Sequence, residues 1–110
     1  MEKTYNKLVR DNIPNIIKSN GETPITRILT NEEYKQELEK KLYEEYQEVL
    51  ESSDEDRIEE LADMLEVIKS LAKLEDKCLE DIINVANQKN SKRGSFNDKI
   101  FLEKVITNNK

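Results

Sequence analysis

Apolar positions in the middle of the chain recur with a helical period. Tyr34, Leu38, Leu42 and Val49 share one stripe of a helical wheel at about 100° per residue. The stretch TNEE at 30–33 offers Thr30 and Glu33 as a capping box, so a helix is expected from there to about residue 51. A second apolar arc holds Ile58, Leu61, Met64, Leu65, Val67, Ile68, Leu71 and Ala72. SSDE at 52–55 offers another capping box, Ser52 with Glu55, opening a helix to about residue 74. Only a few residues separate the two helices, which should fold back as an antiparallel hairpin.

Around the hairpin the pattern is weaker. DNIPNIIKSNG at 11–21 reads as a short helix with Asn12 as its cap, Pro14 in its first turn and Gly21 as its stop. TPITRIL at 23–29 is β-branched and suits a short strand or an extended lead-in. A third helix is expected over residues 76–93, with Gly94 just past its end. NDKIFLEKVI at 97–106 fits either a strand or a terminal helix, and TNNK at 107–110 a frayed tail. The expected class is all-α: an antiparallel helical hairpin with further helices in a four-helix-type bundle, completed by dimerisation, with short terminal strands possible. One domain spans 1–110; no repeat, low-complexity segment or linker interrupts it.

Four carboxylates break the amphipathic pattern. Glu45 falls inside the stripe of the first long helix, and Glu48 lies on its flank about 60° away. Glu60 falls inside the arc of the second, between Val67 and Leu71, with Asp63 at the edge about 60° away. Glu39, Gln47, Glu59 and Glu66 point outward, and Glu44 lies further round. Positions 48 and 60 are equidistant from the turn near Asp54, as are 45 and 63, so the partners lie at similar heights. A single glutamate in so acidic a chain is ordinarily solvated. Two i,i+3 pairs that both break the stripe and then meet across a turn point elsewhere. Clustered carboxylates resist ionisation unless a cation lies between them. Oxygen donors without nitrogen or sulfur suit Mg²⁺, with Mn²⁺ as a substitute.

Composition narrows the alternatives. The chain has 110 residues, a net charge of −6, 38% charged residues and a hydrophobic set of 35%. The acidic balance argues against nucleic-acid binding, which needs a basic surface. With no histidine, His-based catalysis and histidine metal ligands are ruled out. The one cysteine, Cys78, precludes an internal disulfide, fits a cytosolic home and suits a small core position. The N-terminal MEKTYNKLVRDNIP has no apolar run for a signal peptide, and no stretch approaches a membrane span. Little apolar material is available, and the second arc is wider than one hairpin partner covers. A homodimer is therefore expected.

In the third helix Lys89 and Arg93 lie four residues apart on the side of Leu79, Ile82, Ile83 and Ala86, with Lys92 more peripheral. Such cations either complement the helix dipole or contact phosphate oxygens.

EEYQE at 44–48 followed by EELAD at 59–63 resembles the E-x-x-E … E-x-x-D signature of MazG-like all-α nucleoside triphosphate pyrophosphohydrolases. YNKLVRDNIPNII, TPITRILTNEEY and KRGSF are similar to a phosphoribosyl-ATP pyrophosphohydrolase-like subgroup, and together these motifs cover most of the chain. The resemblance implies Glu45, Glu48, Glu60 and Asp63 as Mg²⁺ ligands, and substrate or phosphate contacts for Lys89, Lys92 and Arg93. Two departures stand out. Asn12 occupies a position where the subgroup often has lysine, and Ser95 follows Gly94 where a second glycine is common. Within KLVRD, Lys7, Arg10 and Asp11 either brace the fold or reach the substrate.

The implied reaction is hydrolysis of a nucleoside triphosphate, or of phosphoribosyl-ATP, to a monophosphate and pyrophosphate, in housecleaning or in biosynthesis. Water attacks the α-phosphorus; Glu48 is the candidate general base, with Glu45 beside it in the catalytic group. Two other readings compete. A non-catalytic helical interaction module would pair its inward carboxylates with Lys or Arg across a dimer interface. A di-iron carboxylate bundle would want E-x-x-H motifs that this chain lacks.

Overall fold

The computed structural model describes residues 1–107. The chain is all-α, with helices α1 (Ile13–Ser19), α2 (Asn31–Glu51), α3 (Asp54–Leu74) and α4 (Leu79–Arg93). It divides into two compact units, Met1–Leu79 and Glu80–Lys110. No strand occurs among the described residues. Residues 23–29 carry no regular structure, so the lead-in reading holds over the strand. Residues 97–106 form neither the strand nor the helix that the pattern allowed. Of the expected tail, 108–110 lie outside the described residues. No described helix is long and apolar enough to cross a membrane.

In the first unit α2 and α3 pack on each other as the hairpin. Helix α2 starts where its capping box predicts. The Thr30 hydroxyl accepts from the Glu33 N–H at 3.2 Å, and the Thr30 N–H donates to the Glu33 carboxylate at 3.1 Å. Arg27 donates two further hydrogen bonds to the same carboxylate, at 3.2 and 2.9 Å. The Arg27 guanidinium, then the Thr30 N–H, hold the Glu33 carboxyl down at about 2. The extended lead-in is thereby fastened to the first turn of α2.

The second capping box does not form. Helix α3 takes Ser53 as its N-cap, without a side-chain cap bond. The Ser52 hydroxyl is spent on the preceding helix, donating to the Val49 carbonyl at 3.0 Å, while the Ser52 N–H donates to Glu48 O at 3.1 Å. The chain reverses through extended Ser52 and Ser53 and a left-handed Asp54, with φ 52°. Aspartate is among the few residues that tolerate this region.

Other termini also depart from expectation. Asn12 precedes α1 but makes no cap bond, because its φ −88°, ψ −6° is helical rather than extended. Helix α1 is entered instead through a turn in which the Ile13 N–H donates to Arg10 O at 3.0 Å. Gly21 stops α1 as expected, at φ 82°, with Gly21 N–H bonded to Lys18 O and Glu22 N–H to Ile17 O. The same arrangement ends α3 with Asp76 in the glycine position, at φ 57°, and Lys77 N–H bonded to Ala72 O at 3.0 Å. That left-handed residue is why α4 begins at Leu79 and not at residue 76. Cys78 lies in this junction and is exposed, not a core residue.

The core is small: Leu38 and Val49 from α2, Val67 and Ala72 from α3. Tyr34, Leu42, Met64, Ile68 and Leu71 are half-buried around it. Ile58, Leu61 and Leu65, expected on the apolar arc of α3, remain exposed. In the second unit α4 ends at Gly94, whose φ is 82° and whose N–H bonds to Asn90 O at 2.8 Å.

Replacing Thr30 by alanine should lower stability by about 1 kcal/mol, the usual worth of such a cap. Replacing Ser52 should cost about 0.5 kcal/mol or less, since its hydroxyl makes one partly exposed bond. Urea denaturation of the two variants checks this; equal losses would contradict the assigned start of α3.

Candidate metal centre

The register of the hairpin places the carboxylates. Counted outward from the Ser52–Ser53 reversal, Glu45 of α2 and Glu60 of α3 are equally distant, with Asp63 about one turn beyond Glu60. Glu45, on the α2 stripe, is the most deeply set of its group, and Glu60 and Asp63 approach it from α3. One carboxylate oxygen from each of these three lies within 4.8 Å of the other two. Glu45 Oε2 and Glu60 Oε2 are buried and have no hydrogen-bond partner. A polar atom that has lost water and gained nothing is costly, and here there are two, in one place.

The electrostatics register that cost. Glu60 is pushed up to about 7, chiefly because it shares a hydrogen bond with Glu48, then by desolvation and by the charges of Glu48, Asp63 and Glu45. Glu45 is raised mainly by burial, then by the charges of Glu48 and Asp63. Glu48 and Asp63, the other two carboxylates picked out by the helical wheels, thus both act on Glu45 and Glu60. Glu48 itself is exposed. It opens onto a depression of about 310 Å³ lined by Glu48, Glu51, Ser52, Asp56, Glu59 and Glu60. Glu59 and Glu44 are exposed as expected, whereas Glu66 is half-buried.

One partner of the cluster had no periodic signal. Arg10 donates from Nη2 to Asp63 Oδ1 at 2.7 Å, across 53 positions of sequence. Among the described residues, Asp63 is in contact with the Arg10 cation, while Glu45 feels the charge of Lys41. The donor set fits a hard divalent cation: oxygens only, two of them buried and unpartnered, with more negative charge than Arg10 offsets.

The expected phosphate contacts fall in the second unit. Lys89, Lys92 and Arg93 lie together near the end of α4 and, with Val85 and Gln88, line a shallow depression of about 260 Å³. Lys92 and Arg93 are in the last turn, where cations also complement the helix dipole.

No protein-family profile matches the chain, and no solved structure does. A stretch of 43 residues, 39% of the chain, is 46% identical to an uncharacterised protein of Mycolicibacterium smegmatis. The match spans 44% of that relative's length.

Without metal, the raised carboxyls set a pH dependence. Between about 4.5 and 7 the folded protein holds a proton on Glu60 that the unfolded chain releases. This contribution to stability is complete below the unfolded value and is lost as pH rises through about 7. In the presence of a chelator the melting temperature should therefore fall from pH 5 to pH 8. Glu60→Gln should flatten that fall, and Mg²⁺ at pH 8 should reverse it. A Glu60→Gln profile as steep as that of the parent would refute the assignment.

Proposed function

We propose that the protein is a Mg²⁺-dependent nucleotide pyrophosphohydrolase that splits a nucleoside triphosphate, or phosphoribosyl-ATP, between the α and β phosphates. The observation that carries this reading is the pair of buried, unpartnered oxygens, Glu45 Oε2 and Glu60 Oε2, within one carboxylate cluster. The motif resemblance at 44–48 and 59–63 supports it independently. Glu45, Glu48, Glu60 and Asp63 hold the metal, with Mn²⁺ as a workable substitute. Bound Mg²⁺ supplies positive charge for the phosphate oxygens and makes the attacking water more acidic.

The remaining steps belong to the side chains. Glu48, the exposed member of the four, accepts the proton of the water that adds to the α-phosphorus. The bond from the α-phosphorus to the bridging oxygen breaks, and pyrophosphate leaves. Glu45, more deeply set, keeps the attacking side of the site anionic and desolvated. Lys89, Lys92 and Arg93 offset negative charge on phosphate oxygens, with Arg93 suited to a bidentate contact.

The reading includes a homodimer. Ile58, at 67% exposure, Leu61 and Leu65 form an open stripe on α3, and Tyr43, Tyr46 and Leu50 form another on α2. No described side chain is fully enclosed. A second hairpin laid on these stripes completes the bundle that one copy begins. Light scattering should give twice the chain mass at micromolar concentration.

The deciding assay is pyrophosphate release from a panel of NTPs, dNTPs and phosphoribosyl-ATP, with and without Mg²⁺. Turnover should require Mg²⁺. Glu45→Gln and Asp63→Asn should each lower it by about a hundredfold or more, the usual effect of removing a charge-stabilising group. Glu59→Gln should leave it unchanged. No release from any substrate would favour the non-catalytic interaction module instead.

A further inference from the structure

The contact between Arg10 and Asp63 is out of proportion to its surroundings. The ion pairs Arg27–Glu33, Lys40–Glu37 and Lys41–Glu44 are local, whereas Arg10 reaches across 53 positions to the carboxylate cluster. Both side chains are open to water, at 58% and 45% exposure. An exposed pair of this kind is weak, worth about 0–1 kcal/mol, and exchanges readily. The root of Arg10 is nevertheless fixed, because its carbonyl accepts the Ile13 N–H that opens α1. The guanidinium is therefore a loosely held cation on an ordered stem, placed on one carboxylate of the cluster.

The Asp63 carboxylate is also one that a divalent cation at the cluster would use. The two cations compete for it, and the divalent one also gains the buried oxygens of Glu45 and Glu60, which Arg10 leaves unpartnered. Displacement frees the guanidinium beside a centre whose negative charge the divalent cation has reduced. Its planar fork of donors matches the oxygens of a phosphate. We infer that Arg10 is an exchangeable counterion: it pairs with Asp63 until a divalent cation takes that carboxylate, then turns to bind a phosphate group of the substrate. The inference rests on the metal reading of the cluster. It gives Arg10 of KLVRD a role in substrate binding, and it makes occupation of the metal site the event that frees the phosphate contact.

The test uses the full chain, Mn²⁺ as the metal and inorganic pyrophosphate as the phosphate probe. Mn²⁺ affinity is measured by electron paramagnetic resonance. Pyrophosphate affinity at saturating Mn²⁺ is measured by calorimetry. Arg10→Gln should bind Mn²⁺ about two- to five-fold more tightly, because its competitor is gone. It should bind pyrophosphate about tenfold more weakly, for want of a charge-assisted bond. Lys7→Gln removes the same charge from the same segment, but its ammonium stands over the Tyr5 ring, 6.0 Å from the centroid. It should leave Mn²⁺ affinity close to that of the parent. Arg10→Lys keeps the charge without the fork, so it should restore parental Mn²⁺ affinity while recovering only part of the pyrophosphate affinity. Unchanged Mn²⁺ or pyrophosphate binding in Arg10→Gln, with a parent that binds Mn²⁺, overturns this inference alone. A gain in Lys7→Gln equal to that in Arg10→Gln also overturns it, since the effect is then net charge. A parent that binds no Mn²⁺ overturns both this inference and the metal reading.

Discussion

Carboxylates brought within 4.8 Å of one another repel unless a proton or a cation intervenes. The hairpin of this protein is built around that constraint. Two oxygens that face inward from α2 and α3 have no partner, and Glu48 and Asp63 add their negative charge beside them. The molecule answers in two visible ways. It keeps a proton on Glu60 until the pH reaches about 7, and it brings Arg10 from a distant segment onto Asp63. Each relieves part of the charge. A divalent metal would relieve more, and would give the buried oxygens of Glu45 and Glu60 a common partner.

The rest of the first unit gives this arrangement little margin. Four buried apolar residues hold the hairpin, and its ends depend on local devices: the Thr30–Glu33 box with its Arg27 clamp, and the left-handed Asp76 that ends α3. A hairpin this sparsely packed has little apolar burial with which to offset the strain of an anionic centre. Electrostatic relief at the cluster and coverage of the exposed stripes therefore act on the same small stability.

Much of this was legible in the chain because it is local. Helical period placed α2 and α3 to within a residue or so, and wheel geometry separated Glu45 and Glu60 from their solvated neighbours Glu44 and Glu59. What escaped depends on competition or distance. Ser52 and Glu55 have the spacing of a cap, but Ser52 closes α2 before it can open α3. Asp76 looks like the first residue of a helix and instead ends one, because a residue's handedness is settled by the bonds that close around it. Ile58, Leu61 and Leu65 have the period of a core but lie on a face that this chain alone does not cover. The approach of Arg10 to Asp63 had no signal, since no periodicity links positions 53 apart.

The two-residue reversal at Ser52 and Ser53 acts as the zero of a ruler. Each residue added on one side of it slides its carboxylates about 1.5 Å along the axis and turns them about 100°. A single insertion near the turn would thus send Glu45 or Glu60 out to solvent and bring an ordinary surface residue in. Lengths of α2 and α3 on the turn side of the cluster cannot drift independently; change there must be matched on both arms or absent. The outer ends of the same helices carry no such condition. Tolerance to insertion should therefore be strongly lopsided along the hairpin, with the turn side of the cluster metrically constrained and the outer end of the hairpin free to vary.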